Sequence, residues 1–174
     1  MSDAVLAESD HRRLRLIGLV MAVTAFVADQ GHKLAMLYGL GFADLLPGEG
    51  VRVTSFFNLV MVWNPGISYG LFPANGPLGA GLQIGLTLAM IGFLSWWLWK
   101  SSVLAVTVGC GLVIGGGLGN LLDRLVYGKV ADFFHFHGFG YDWYVFNIAD
   151  VAVTLGAVAF IYDVIKPSES IKDA

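Results

Sequence analysis

Two stretches of this chain, Leu78 to Trp99 and Ser101 to Leu122, each run for 22 residues without a charged side chain. As helices they would be about 33 Å long, enough to cross a hydrocarbon layer of about 30 Å. Two further stretches are nearly as apolar. Leu14 to about Tyr38 is interrupted in its outer third by Asp29 and Lys33, and about Phe146 to Ile165 carries Asp150 near one end and Asp163 near the other. With 56% hydrophobic and 13% charged residues, and a mean hydropathy of +0.71, the 174-residue chain has too little polar surface to coat a globule in water. The expected fold is an all-α membrane protein: one domain over residues 1–174, built as a four-helix bundle.

Arg12, Arg13 and Arg15 precede the first apolar run in the manner of a leader peptide. The minus-three place before Ala28 is Phe26 rather than a small residue, so a retained helix is expected. In a four-span arrangement Arg12, Arg13, Arg15, Lys100, Lys166 and Lys172 share one side, against Arg52, Arg124 and Lys129 on the other. Such an imbalance puts both termini in the cytoplasm. Two outer loops follow, about 39–77 and 124–145. Within the first, Val51 to Trp63 is rich in Val, Phe and Thr and is bracketed by Pro47, Gly48, Gly50 and Pro65, Gly66, the pattern of one or two short strands. A small extracytoplasmic β-sheet is therefore expected on the bundle. Gly111, Gly115 and Gly119, spaced by four, form a packing seam on the third helix.

Ionisable groups at membrane depth each cost roughly 2.5–3.5 kcal/mol on insertion scales, and they persist where they face protein or water. Asp29 and Lys33 stand one helical turn apart and are placed to neutralise each other. Asp123 closes the third helix at its outer end and Asp150 begins the fourth from the same side, so both lie at one depth. Two carboxylates close together do not both ionise easily, the condition for general acid and base chemistry on a peptide bond. From spacing alone, Asp123 paired with Arg124 and Asp150 capping its helix is equally open. Asp163 lies 13 residues beyond Asp150, roughly 20 Å along the helix, and belongs with Lys166 at the opposite interface.

Other chemistries find weaker support. Asp132, His135 and His137 have metal-like spacing, but they alternate with Phe133, Phe134 and Phe136 in what reads as an amphipathic aromatic-belt segment, and no metal or other cofactor is expected. Ser68 lacks a nucleophile-elbow motif. The Gly115–Gly119 run lacks the lysine of a phosphate loop, and the lone Cys110 has no partner for a disulfide. A net charge of −3 with scattered Lys and Arg argues against a nucleic acid partner.

Four ordered motifs resemble those of the lipoprotein signal peptidase (signal peptidase II) family. They are Asp29-Gln30 with Lys33; Asn64-Pro65-Gly66 through Gly70-Leu71-Phe72; Gly119-Asn120-Leu121-Leu122-Asp123-Arg124 through Gly128, Val130, Asp132 and Phe133; and Phe146-Asn147-Ile148-Ala149-Asp150 with Gly156. The resemblance implies an aspartic endopeptidase that cuts prolipoproteins before a diacylglyceryl-modified cysteine, with Asp123 and Asp150 as catalytic pair and no metal. It also implies that Asn64, Asn120, Arg124 and Asn147 line the site and hold substrate, supported by Asp29 and Lys33. The segment 134–145, longer than the pattern leads one to expect, reads as a mobile outer flap over the scissile bond. Expected partners are the lipidated substrate and membrane lipids, with a monomer as default. A non-catalytic binder of lipidated peptides and a small proton-coupled carrier remain the alternatives.

Overall fold

The computed structural model describes residues 3–66 and 76–165. Its elements are α1 (Asp3–Leu34), continued by a π-helical turn (Ala35–Gly39) and a 3-10 turn (Phe42–Asp44); β1 (Gly50–Arg52); β2 (Phe57–Asn64); α2 (Gly76–Lys100); α3 (Leu104–Tyr127); β3 (Val130–Gly138); β4 (Tyr141–Asp142); and α4 (Ile148–Ile165). Four of the helices are long and apolar enough to cross a membrane, as expected. Their outward side chains, among them Val20, Val23 and Val27 of α1 and Leu82, Leu86 and Phe93 of α2, are apolar and exposed. Such faces are unfavourable in water and are the natural contact with lipid tails, and the chain is a multi-pass membrane protein.

α3 is the axis of the bundle. In its most apolar window 67% of residues are buried, against 22% for α1, 11% for α2 and 17% for α4. Glycine makes this possible. A Cβ at Gly111 would strike the carbonyl of Gly18, and one at Gly115 the carbonyl of Ala22, so the expected seam is the α1 contact. A second seam, unforeseen, faces α4, where a Cβ at Gly109 would come 3.0 Å from the Gly156 carbonyl and one at Gly156 2.8 Å from that of Gly109. Without a hydrophobic drive between helices in lipid, close backbone approach supplies the association through packing. Leu94, Leu98, Val106, Cys110, Val113 and Ile114 fill the remaining core.

α3 runs to Tyr127, past the expected boundary, and stops where Gly128 takes φ +72° and donates its N–H to the Arg124 carbonyl at 3.0 Å. The chain then enters β3. The segment 124–145 is therefore not an irregular loop: β3 and β4 pair as a hairpin, and the order of the antiparallel sheet is β1-β2-β3-β4. The β2–β3 register slips by one residue between Leu59 and Val62, a bulge in β2. Beneath the sheet, Met36 and Leu37 of the π-turn pack with Phe42, Met61, Ala131 and Phe133. Burying each large side chain contributes roughly 1.5–3 kcal/mol, so this cluster fixes the sheet to the C-terminal end of α1.

Candidate active site

The polar groups assemble where α1, α3, β3 and the start of α4 meet. Lys33 organises one half. Its ammonium has three donors and meets three acceptors: Asp29 Oδ2 at 2.9 Å, Asp123 Oδ2 at 2.8 Å and Asn120 Oδ1 at 3.1 Å. Asp29, Lys33 and Asp123 are 0%, 2% and 1% exposed, so the charges are compensated inside protein. Asp29 Oδ1 also accepts the Ala149 N–H at 2.9 Å, tying α1 to α4. The expected Asp29–Lys33 pair is present.

The bonds of Asp123 run to α1 and to the root of β3. Besides Lys33, its carboxylate accepts from Gln30 Nε2 at 3.1 Å and from the Ala131 N–H at 3.1 Å. Lys33 and then Asn120 link it to Asp150. The Asn120 amide accepts from Lys33 on one side and donates to Asp150 Oδ1 at 3.0 Å on the other. The carboxyl that shares space with Asp150 is Asp132. On β3, Ala131 and Phe133 point into the apolar cluster, so the period-2 alternation turns Asp132 to the other face. That face borders a cavity of about 270 Å³ whose wall includes Asn64, Asn120, Arg124, Asp132 and Asp150 at its polar end and Leu86, Met90 and Val153 at its apolar end. Asp29, Lys33, Asp123 and Asn147 lie behind that wall.

The remaining side chains hold these two carboxyls. Asn147 and Asp150 form a reciprocal cap at the start of α4: the Asp150 N–H donates to Asn147 Oδ1 at 3.0 Å and the Asn147 N–H to Asp150 Oδ2 at 3.2 Å. The Asn147 amide also donates to Asp132 Oδ1 at 2.6 Å, so one residue grips both acids. Asn64 Nδ2 donates to Asp132 Oδ2 at 3.0 Å, its own Oδ1 being bound by the Gly66 N–H at 2.9 Å. Burial, and then the nearby Asp150 charge, push the Asp132 carboxyl up to about 7, against the opposing pull of the Asn64 and Asn147 bonds and of Lys33. Arg124 lies across the cavity, donating to Gly66 O at 2.8 Å, Asn120 O at 3.1 Å and Gln83 Oε1 at 3.3 Å.

Two of these residues escaped the sequence reading as site groups. Asp132 was counted in the third motif and weighed as a metal ligand beside His135 and His137, without a site role of its own; the strand places the two histidines on its opposite face, and His135 pairs instead with Asp142 at 3.3 Å. Gln83, buried in α2, binds Arg124 and donates to the Pro65 carbonyl at 3.3 Å. A lone amide in an otherwise apolar span was its visible signal. The Gly70-Leu71-Phe72 part of the second motif, Ser68 and Lys166 fall outside the described residues.

Known proteins resemble this chain over most of its length. Residues 21–166 match the family model described as signal peptidase (SPase) II. The chain is 46% identical over 160 residues to a lipoprotein signal peptidase of Rhodopseudomonas palustris strain TIE-1, covering 90% of this chain and 96% of that protein. It is 45% identical over 150 residues to one from Nitrobacter hamburgensis, covering 84% and 90%. Two solved structures described as bacterial membrane enzymes superpose with TM-scores of 0.76 and 0.72 at 26% and 27% identity, covering 90% and 87% of this chain and 92% and 94% of theirs. Motif order, membrane topology and the buried carboxylate network thus agree with a match over most of the length, and the chain belongs to the signal peptidase II family of membrane peptidases.

Proposed function

We propose that this peptidase removes the signal peptide from prolipoproteins, cutting before the diacylglyceryl-modified cysteine, and that Asp132 and Asp150 are its acid–base pair in place of the Asp123–Asp150 pair expected from sequence. The observation that carries the assignment is the cavity wall that Asp132 and Asp150 share, from which Asp123 is withdrawn by Lys33, Gln30 and the Ala131 N–H.

In this reading a water between the carboxyls attacks the scissile carbonyl carbon. Asp150 takes the proton from the water while protonated Asp132 donates to the carbonyl oxygen, giving a neutral tetrahedral diol. Collapse breaks the C–N bond as Asp150 returns its proton to the leaving nitrogen and Asp132 regains its own. An Asp132 acid that titrates near 7 is protonated often enough to serve. Asn64, Asn120 and Arg124 hold the extended substrate backbone, Asn147 fixes both acids, and Asp29 with Lys33 and Asp123 anchors α1, α3 and β3 around them. Acyl chains enter along Leu86, Met90 and Val153 at the apolar end of the cavity. No metal or cofactor takes part, and the working unit is a monomer. The Lys and Arg distribution supports cytoplasmic termini in a bacterial inner membrane, with the site at the outer face.

The test is cleavage of a purified diacylglyceryl-modified prolipoprotein by the wild type and by Asp132→Asn, Asp150→Asn and Asp123→Asn, each checked for folding and for binding of a non-cleavable substrate analogue. Binding without turnover in Asp132→Asn and Asp150→Asn is the expected result. Wild-type binding without turnover would instead make the chain a lipidated-peptide binder, and wild-type turnover by Asp132→Asn would return the role to Asp123. The carrier alternative is disfavoured because, among the described residues, the buried carboxylates cluster at one end of the bundle, with no carboxylate relay toward the other.

A further inference from the structure

At the end of the bundle remote from the carboxylates, α1 and α2 border a groove of about 380 Å³, its floor closed where Gly18 meets Leu98. Gly18 and Ala22 of α1, Leu98 of α2 and Ile114 of α3 make it apolar, and Arg12 and Arg15 stand at its mouth. Arg15 is preset there: its Nε donates to the Trp99 carbonyl at 3.2 Å and its guanidinium lies 4.5 Å over the Trp99 ring. This leaves both Nη groups without a hydrogen bond among the described residues. A second groove opens at the same end between α3 and α4, lined by Val103, Leu104, Leu155 and Val158 but bordered by Asp163. The two grooves are alike in apolar character and opposite in rim charge.

We propose that the α1–α2 groove is a binding site for one anionic phospholipid, its phosphate held by Arg12 and Arg15 and one acyl chain lying along the exposed Leu16 and Leu19 above the buried floor of Gly18, Ala22 and Leu98. A groove between membrane-spanning helices is filled by lipid, and the rim charge selects which. Two guanidiniums favour a headgroup of net negative charge over a zwitterionic one, whose ammonium they repel. Trp99, 59% exposed beside them, has the amphipathic ring that settles at headgroup depth. From Arg15 to Ala22 the helix rises roughly 10 Å, which matches the upper half of an acyl chain. The other groove has no guanidinium among its described lining residues.

Native mass spectrometry of the purified full chain, titrated with phosphatidylglycerol and phosphatidylcholine of identical acyl composition, tests this. The wild type is expected to retain one phosphatidylglycerol in preference to phosphatidylcholine. Arg12→Gln is expected to weaken that binding about fivefold, and Arg12→Gln/Arg15→Gln to bring it down to the phosphatidylcholine level. Asp163→Asn should leave binding at the α1–α2 groove unchanged. Equal retention of both lipids by the wild type would mean annular lipid only and would overturn the proposal, as would a preference that survives in the double variant. Should loss of the Arg15–Trp99 contact unfold the double variant, the exposed Arg12 decides alone: Arg12→Lys must keep the preference that Arg12→Gln reduces.

Discussion

Replacing Asp132 by asparagine keeps the size of the side chain and removes its exchangeable proton. The wild-type carboxyl accepts two amide donors, from Asn147 at 2.6 Å and from Asn64 at 3.0 Å. An asparagine offers one acceptor oxygen, so its own NH₂ must face one of these donors, losing one bond at about 1–3 kcal/mol of folding stability. The buried charge network of Asp29, Lys33 and Asp123 is not touched. Against this, losing a general acid lowers the chemical step by about 10²–10⁴-fold, equivalent to roughly 2.7–5.5 kcal/mol of barrier. Turnover should therefore collapse in a protein that remains folded. The assay is single-turnover cleavage of lipidated prolipoprotein beside thermal unfolding in the same detergent. In Asp123→Asn the emphasis reverses. Lys33 loses one of its two carboxylate partners, and the single oxygen left cannot accept from both Gln30 and the Ala131 N–H, so the unfolding temperature falls, and any residual turnover keeps the wild-type dependence on pH. A folded Asp132→Asn enzyme with a chemical step within tenfold of wild type would refute the assignment.

Three other outcomes follow from the same geometry. Because Asp132 is raised from 3.8 to about 7, the folded protein holds more protons than the unfolded chain between those values. Stability should then fall as pH rises from about 4 to 7 and level off above, while cleavage declines above pH 7 as the acid deprotonates; Asp132→Asn should lack this component of the unfolding profile. Gly119→Ala drives a methyl into the Asp29 carboxylate and should cost about 1–3 kcal/mol by thermal unfolding, whereas Gly81→Ala on α2, with nothing within 4 Å, should stabilise by roughly 0.5–1 kcal/mol. Gln83→Leu frees the Pro65 carbonyl and one Arg124 donor while leaving both acids in place, so KM should rise severalfold with kcat less affected.

The spans were readable because lipid imposes a length and forbids stray charge, and the Asp29–Lys33 pair because helical spacing is regular. Depth along the membrane was readable too: Asp123 and Asp150 do lie toward the same end. Rotation about the helix axis was not, since it depends on which face of α3 meets α1, and the glycines on two faces of α3 made that ambiguous. The strand that carries Asp132 did leave a signal. Phe134, His135, Phe136 and His137 alternate with period two, but an aromatic-rich alternation beside a membrane also fits an interfacial segment, and only pairing with β2 separates the two. The expected flap is for this reason a hairpin.

The ammonium of Lys33 carries a consequence for how the molecule is made. A helix leaving the insertion machinery alone would bring Asp29 and Lys33 with only each other as partners, and the further acceptors Asp123 and Asn120 arrive with α3, some 90 residues later in synthesis. Until then the C-terminal end of α1 is a poor solute for lipid and should stay near the headgroups or with a chaperoning surface. Docking of α3 would draw it to its final depth, and with it the π-turn and the first strands. The residue that joins the helices thus also times their assembly, with the cavity closing only after the fourth helix supplies the Ala149 N–H to Asp29.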